Sequence, residues 1–193
     1  MSDDPVWNRY ILGIFEMVFQ GKETSHDKGK GDIMKTLIVY YSLEGNTEYS
    51  AGKIAKATGA DLLKLIPKKT YPDKGAKKFI WGGKSAVFGE TPELEPYNND
   101  LSSYDRIIIG FPVWASTFAP PIRTFVTDNK DELKQKEICV FACQAGNGAE
   151  KAFSKLAKLI EKEPFEITGI FIDPKGRPGP EKDSAIDEFI GRL

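Results

Sequence analysis

Along this chain the apolar positions change period repeatedly, and each change marks an element. Val6, Trp7, Tyr10, Ile11, Ile14, Phe15 and Val18 recur at helical spacing behind Pro5, a residue that a first helical turn tolerates. Residues 1–33 are therefore predicted to hold one amphipathic helix and, over Gln20–Asp32, a linker rich in Gly, Lys, Glu and Asp. A domain of different character runs from 34 to 193, and Met34 stands where an alternative start would fall. Its first apolar run, Leu37–Tyr40, is continuous, as expected of a strand buried on both faces. Thr47–Thr58 then reads as a helix with Ala51, Ile54 and Ala55 inward and Gly59 as its stop. Further strands are predicted at Leu62–Ile66, Arg106–Phe111, Glu137–Ala142 and Phe165–Ile172. Helices are predicted from Pro120 through Val126, over Ala149–Glu161 and over Glu181–Leu193. Strand–helix alternation of this kind predicts an α/β fold, a parallel sheet with helices on both faces. The stretch Tyr71–Tyr97 is longer than an ordinary connection and holds Phe79, Trp81 and Phe88 between glycines, so it is expected to be an excursion with a helix of its own.

Composition narrows the function classes. A net charge of -1 supplies no global field for nucleic acid or an anionic membrane, and no stretch is long and apolar enough to span a bilayer. Asp3-Asp4 near the amino terminus does not read as a secretory signal, and the expected location is the cytoplasm. The two cysteines, Cys139 and Cys143, share one face of a strand at a spacing too wide for easy pairing; buried free thiols are expected. The single histidine, His26, falls in the linker, so no metal site of the usual histidine type is expected.

In an open parallel sheet, ligands bind beyond the carboxyl ends of the strands. After the first strand, Ser42-Leu43-Glu44-Gly45-Asn46-Thr47 leads directly into a helix. The helix start offers free N–H groups and a positive dipole end, the short polar side chains add donors, and Gly45 lets the backbone curl, as a phosphate monoester requires. The loop lacks the Gly-Lys-Ser/Thr ending of a nucleoside-triphosphate loop and the three-glycine dinucleotide fingerprint. The plainer alternative is a strand-to-helix turn with Asn46 or Thr47 as N-cap. After the third strand, Phe111-Pro112-Val113-Trp114-Ala115-Ser116 places a tryptophan where it would stack on a flat ring, or else serve the core. After the fourth, Cys143-Gln144-Ala145-Gly146-Asn147-Gly148 is small enough for a ligand to approach its backbone, or to be a helix-entry loop.

From about Met34 to the carboxyl terminus the chain resembles the flavodoxin family. Ser42-x-x-Gly45-Asn46-Thr47 is similar to its FMN phosphate loop, Pro112-Val113-Trp114 to its first ring-flanking loop, and Gln144–Gly148 to its second. The resemblance implies a flavodoxin-like three-layer sandwich with a five-stranded parallel sheet in the order 2-1-3-4-5, and an extra N-terminal helix outside it. It also implies non-covalent FMN and electron transfer through the exposed edge of the flavin. The cofactor-binding residues it implies are Ser42, Leu43, Glu44, Gly45, Asn46 and Thr47, then Pro112, Val113, Trp114 and Ala115, then Gln144, Ala145, Gly146, Asn147 and Gly148; no metal and no further catalytic residue is implied. The expected partner is a redox protein or a small-molecule electron acceptor; the N-terminal helix, outside the resemblance, could dock on its own domain, pair with a second subunit in a homodimer, or, last in rank because its polar face has little positive charge, touch a membrane surface. Two departures stand against a pure shuttle: many family carriers are strongly acidic, and many have a glycine in the first flavin loop where this chain has Ala115, Ser116 and Thr117. The alternative is an NAD(P)H-dependent flavin or quinone reductase on the same fold.

Overall fold

The computed structural model describes residues 34–69, 86, 88–97, 100–176 and 180–193. The amphipathic helix read in residues 1–33 lies outside the described residues, as does most of the Tyr71–Tyr97 excursion. The chain divides between Ile33 and Met34, and the fold is that of Met34–Leu193.

In chain order its elements are β1 (Thr36–Tyr40), α1 (Asn46–Thr58), β2 (Asp61–Lys64), β3 (Arg106–Trp114), β4 (Thr117–Phe118), α2 (Pro120–Asp128), α3 (Lys130–Lys134), β5 (Glu137–Gln144), α4 (Ala149–Ile160), β6 (Thr168–Ile172) and α5 (Pro180–Gly191). The sheet has six strands in the order β2-β1-β3-β5-β6, with β4 off this path on β3. All pairings along the path are parallel. The parallel strands taken alone therefore run 2-1-3-4-5, as the resemblance implies; β4 is an addition, two residues antiparallel to the end of β3.

Register follows from burial on both faces. Val39, Ile109 and Val140 lie side by side, as do Tyr40, Gly110 and Phe141. Alternate residues of each strand then feed opposite apolar clusters. Leu37, Val39, Ile107, Ile109, Phe111 and Val140 face a cluster closed by Ile122, Phe125 and Val126 of α2 and Phe153, Leu156 and Ile160 of α4. Ile38, Tyr40, Ile108, Cys139, Phe141 and Cys143 face a second, closed by Ala51 and Ile54 of α1 and Ile186 and Phe189 of α5. A glycine is required at position 110, where an added Cβ would lie 2.2 Å from the ring of Phe141 on the neighbouring strand.

Several boundaries differ from the sequence reading. β2 stops at Lys64, and the chain beyond it pairs with the end of the excursion: Pro67 bridges Leu94, Lys68 N–H donates to Glu93 O, and Glu95 N–H to Ile66 O. β6 begins at Thr168. β3 runs through Pro112 and Val113 to Trp114, and β5 to Gln144, so part of each expected loop is strand. The short helix α3, with Leu133 buried, has no counterpart in the sequence reading. Among the described residues no helix is long and apolar enough to cross a membrane.

Candidate functional site

The loop between β1 and α1 is shaped by Gly45. It takes φ 92°, a left-handed conformation that favours glycine, and acts as N-cap residue of α1 without any side-chain cap. Its N–H donates to Ser42 Oγ at 3.1 Å, which curls the loop back on itself. Its carbonyl accepts from Tyr49 N–H at 2.9 Å, the first bond of the helix ladder. The N–H groups of the first turn thus open onto the loop, at the positive end of the helix dipole. Asn46 faces the turn after β6: its Nδ2 donates to Asp173 Oδ1 at 3.2 Å and its Oδ1 accepts from the Lys175 N–H at 2.9 Å.

Thr47 is 1% exposed, and its hydroxyl has no hydrogen-bond partner of ordinary geometry. Its surroundings include the Cys143 thiol, which also lies 3.7 Å from Ser50 Oγ. Burial pushes the Cys143 thiol up to about 11, against a smaller opposing pull from the Ser50 and Thr47 hydroxyls.

The second wall is a β-hairpin. β3 ends at Trp114, Trp114 pairs with Thr117, and the turn between them is Ala115-Ser116. Both turn residues have positive φ, 49° and 55°, the sign that two-residue hairpins of type I′ require, here without the usual glycine. Trp114 is half-buried, packs against the core and meets Tyr41 edge-on at 5.8 Å. Lys155 of α4 holds the turn by donating to Ser116 O at 3.0 Å.

The third wall is the loop into α4. Gln144 Oε1 accepts from Ala149 N–H at 3.0 Å, so the side chain satisfies an N–H at the start of α4. Ala145, Gly146 and Asn147 are exposed. Gly148 (φ 107°) allows a contact between loops: a Cβ there would lie 2.8 Å from Ser116 Oγ and 3.0 Å from Ser116 Cα. Its smallness therefore serves the hairpin beside it.

These walls enclose a cavity of about 510 Å³ at the carboxyl ends of β1, β3 and β5, where the strand order reverses and ligands of open α/β sheets lie. Of the residues expected from the sequence, Ser42, Leu43, Glu44 and Asn46 line it, with Pro112, Val113, Trp114 and Ala115 opposite and Gln144 and Ala145 beside them. Gly45, Thr47, Gly146, Asn147 and Gly148 stand in the same loops without lining the cavity. Two lining residues, Cys143 and Asp173, were missed. Cys143 opens the loop after the fourth predicted strand but read as a buried free thiol, and Asp173 follows the last strand, an edge to which the same carboxyl-end rule applies. Among the described residues no group of three or more His, Cys, Asp and Glu could hold a metal.

A family model described as flavodoxin matches residues 35–165. Among solved structures, that of a flavoprotein in complex with FMN from Lactobacillus acidophilus aligns with a TM-score of 0.64 and 26% identity, over 81% of this chain and 98% of that one. The apo-form of the flavoprotein from the same organism, solved by NMR, gives 0.53 and 24%, over 81% and 97%. A flavodoxin, WrbA-like protein from Agrobacterium tumefaciens gives 0.54 and 13%, over 82% and 94%, a likeness of fold alone.

Proposed function

The chain belongs to the flavodoxin family, and on that premise we propose that it binds FMN non-covalently in the cavity above β1, β3 and β5 and passes electrons through the exposed edge of the flavin. The observation that carries this reading is the cavity itself, lined by Ser42, Asn46, Trp114 and Gln144 from the three loops at the carboxyl ends of β1, β3 and β5, beside the uncapped start of α1. The unsatisfied N–H groups of that helix start offer donors to an oxyanion. The cavity volume falls in the range of about 300–1,000 Å³ usual for small-molecule sites. The Ser42–Thr47 loop would hold the phosphate, and Trp114 and the Gln144–Gly148 loop would flank the ring. Bound FMN supplies the redox chemistry, taking up and releasing electrons in one- or two-electron steps.

The protein's own contribution is position and exclusion of water. Trp114 is braced by Tyr41 and the core, so it offers a fixed apolar surface. The Ala145-Gly146-Asn147 segment at the start of the loop into α4 is small and exposed. That exposure favours a second reading, an NAD(P)H-dependent flavin or quinone reductase in which a small molecule reaches the ring. The partner in the first reading is a redox protein or a small-molecule acceptor. Two free, buried cysteines support a reducing compartment, the cytoplasm.

The test is an absorbance spectrum of the purified protein, loaded with FMN and reduced stepwise without oxygen. Flavin that stays bound through gel filtration and reduces in one-electron steps supports the carrier. Reduction by NAD(P)H in a single two-electron step supports the reductase. Protein that stays colourless after incubation with FMN overturns both.

A further inference from the structure

We propose that the side-chain amide of Gln144 is a fixed hydrogen-bond donor to a carbonyl oxygen of the flavin ring, and that it favours the reduced flavin over the oxidised one. This rests on the FMN reading above and deepens it. The start of α4 decides which way the amide faces. Gly148, the N-cap residue, has no side chain with which to cap the helix, and Gln144 Oε1 fills that place by accepting from the Ala149 N–H at 3.0 Å. A backbone N–H can be met only by the oxygen of an amide, so this bond settles which amide atom is which and turns the NH2 group away from Ala149. Among the described residues that NH2 group has no partner.

Two amide side chains belong to residues that line the cavity, and they differ in what they have left to offer. Asn46 is committed at both ends: its Nδ2 donates to Asp173 Oδ1 at 3.2 Å and its Oδ1 accepts from the Lys175 N–H at 2.9 Å. Gln144 is committed at one end only and keeps its donor end for a ligand. Its backbone is also held, since its carbonyl accepts from the Asp173 N–H at 3.2 Å and it pairs with Ile172 of β6. Gln144 is the last residue of β5, so it stands at the loop that would flank the ring and not at the one that would hold the phosphate. The pyrimidine edge of a flavin carries carbonyl oxygens, and negative charge grows there when the ring is reduced. A neutral donor already fixed by α4 meets that charge without reorienting and without further loss of side-chain freedom. The bond is therefore stronger to the reduced ring than to the oxidised one.

The experiment compares the wild type, Gln144→Glu and Gln144→Leu by denaturation without flavin, by titration with FMN and with riboflavin, and by the reduction potential of bound FMN. Gln144→Glu keeps an oxygen for the Ala149 N–H and puts a negative charge at a helix start, so its flavin-free denaturation midpoint should equal or exceed that of the wild type. Gln144→Leu loses the cap, and its midpoint should fall. Neither variant has the donor. Both are expected to bind oxidised FMN about three- to ten-fold more weakly, with the same loss for riboflavin. Reduced FMN should lose about ten-fold more than oxidised FMN, which lowers the two-electron potential by about 30 mV. Wild-type flavin affinity and potential in Gln144→Leu overturn the assignment, because a shift confined to Gln144→Glu is the effect of its charge alone. Wild-type flavin properties in Gln144→Glu overturn it as well, because a shift confined to Gln144→Leu comes from the lost cap. A loss for FMN without one for riboflavin puts the amide at the phosphate and likewise overturns it. A wild type that binds neither flavin overturns the FMN reading itself, a result seen before any variant is compared.

Discussion

Thr47 carries a hydroxyl that the folded protein buries and leaves without a proper partner, and this gives a mutation with opposite effects on two measurements. Thr47→Val keeps the shape and removes the unmet group. The flavin-free protein is expected to be unchanged or up to about 1–2 kcal/mol more stable, because the desolvation penalty disappears. FMN affinity is expected to fall by about 1.5–3 kcal/mol, since a bond to a charged phosphate is lost. Chemical denaturation without flavin, together with FMN and riboflavin titrations, reads both; a variant that loses stability but binds FMN like the wild type would show that the hydroxyl faces only protein. Trp114 is tested by a comparable split. It is half-buried and braced by Tyr41, so Trp114→Ala should cost less stability than emptying a core site. If the indole stacks on the flavin, adding about 0.5–1.5 kcal/mol beyond area burial, the fully loaded variant should bind oxidised FMN more weakly and emit flavin fluorescence more brightly than the wild type. Unchanged emission in a destabilised variant would place the indole away from the ring.

At the scale of elements, what could be read in advance depended on how many residues an element repeats. The long apolar runs of β1, β3 and β5 and the 3.6-residue stripes of α1 and α4 state their own identity, and the parallel order follows from their alternation. Short or interrupted pieces do not. Pro112 looks like a strand breaker, yet β3 continues through it. The pairing of β1 with β3 ends at Gly110, so beyond that point the missing N–H of proline costs no ladder bond on that side. β4 has two residues, too few for any pattern, and its turn is Ala115-Ser116 where Asn-Gly would have announced a hairpin. The site suffered likewise: the lining from single loops was legible, while Asn46–Asp173 and Gly148–Ser116 are contacts between loops that no local pattern encodes. β5 itself supports a prediction. Cys139 and Cys143 point to the same buried cluster, and burial, the first cause at each, pushes both thiols up to about 11. An unfolded cysteine loses its proton near 8.5. Between roughly pH 9 and 11 the unfolded chain therefore sheds thiol protons that the folded chain retains, so these two residues lower stability as pH rises through that window and have no effect below it. Denaturation midpoints at pH 8, 9, 10 and 11 should fall more steeply for the wild type than for a Cys139→Ala, Cys143→Ala double variant. At pH 8 both native thiols should resist a thiol reagent that labels them at once in urea; equal labelling before and after unfolding would mean that the strand is not buried.

For the molecule as a whole, the question is how much of the chain the site needs. Both apolar clusters close within Met34–Leu193: the sheet is covered by α2 and α4 on one face and by α1 and α5 on the other. Among the described residues, every one that lines the cavity also lies beyond Met34. A chain beginning at Met34 should therefore fold cooperatively and bind FMN with the affinity of the full-length protein. The apolar stripe read from Val6 to Val18 needs an apolar surface to cover, and we propose a second subunit as that surface. Removing residues 1–33 is then expected to lower the oligomeric state and to leave the flavin spectrum unchanged. Gel filtration with light scattering on both forms, followed by absorbance of the same fractions, measures the two effects together. If the shortened chain is insoluble, the amino-terminal segment covers part of the core. If it is soluble but colourless while the full chain is yellow, that segment completes the flavin site, and the boundary between an accessory helix and an FMN domain at Met34 is wrong.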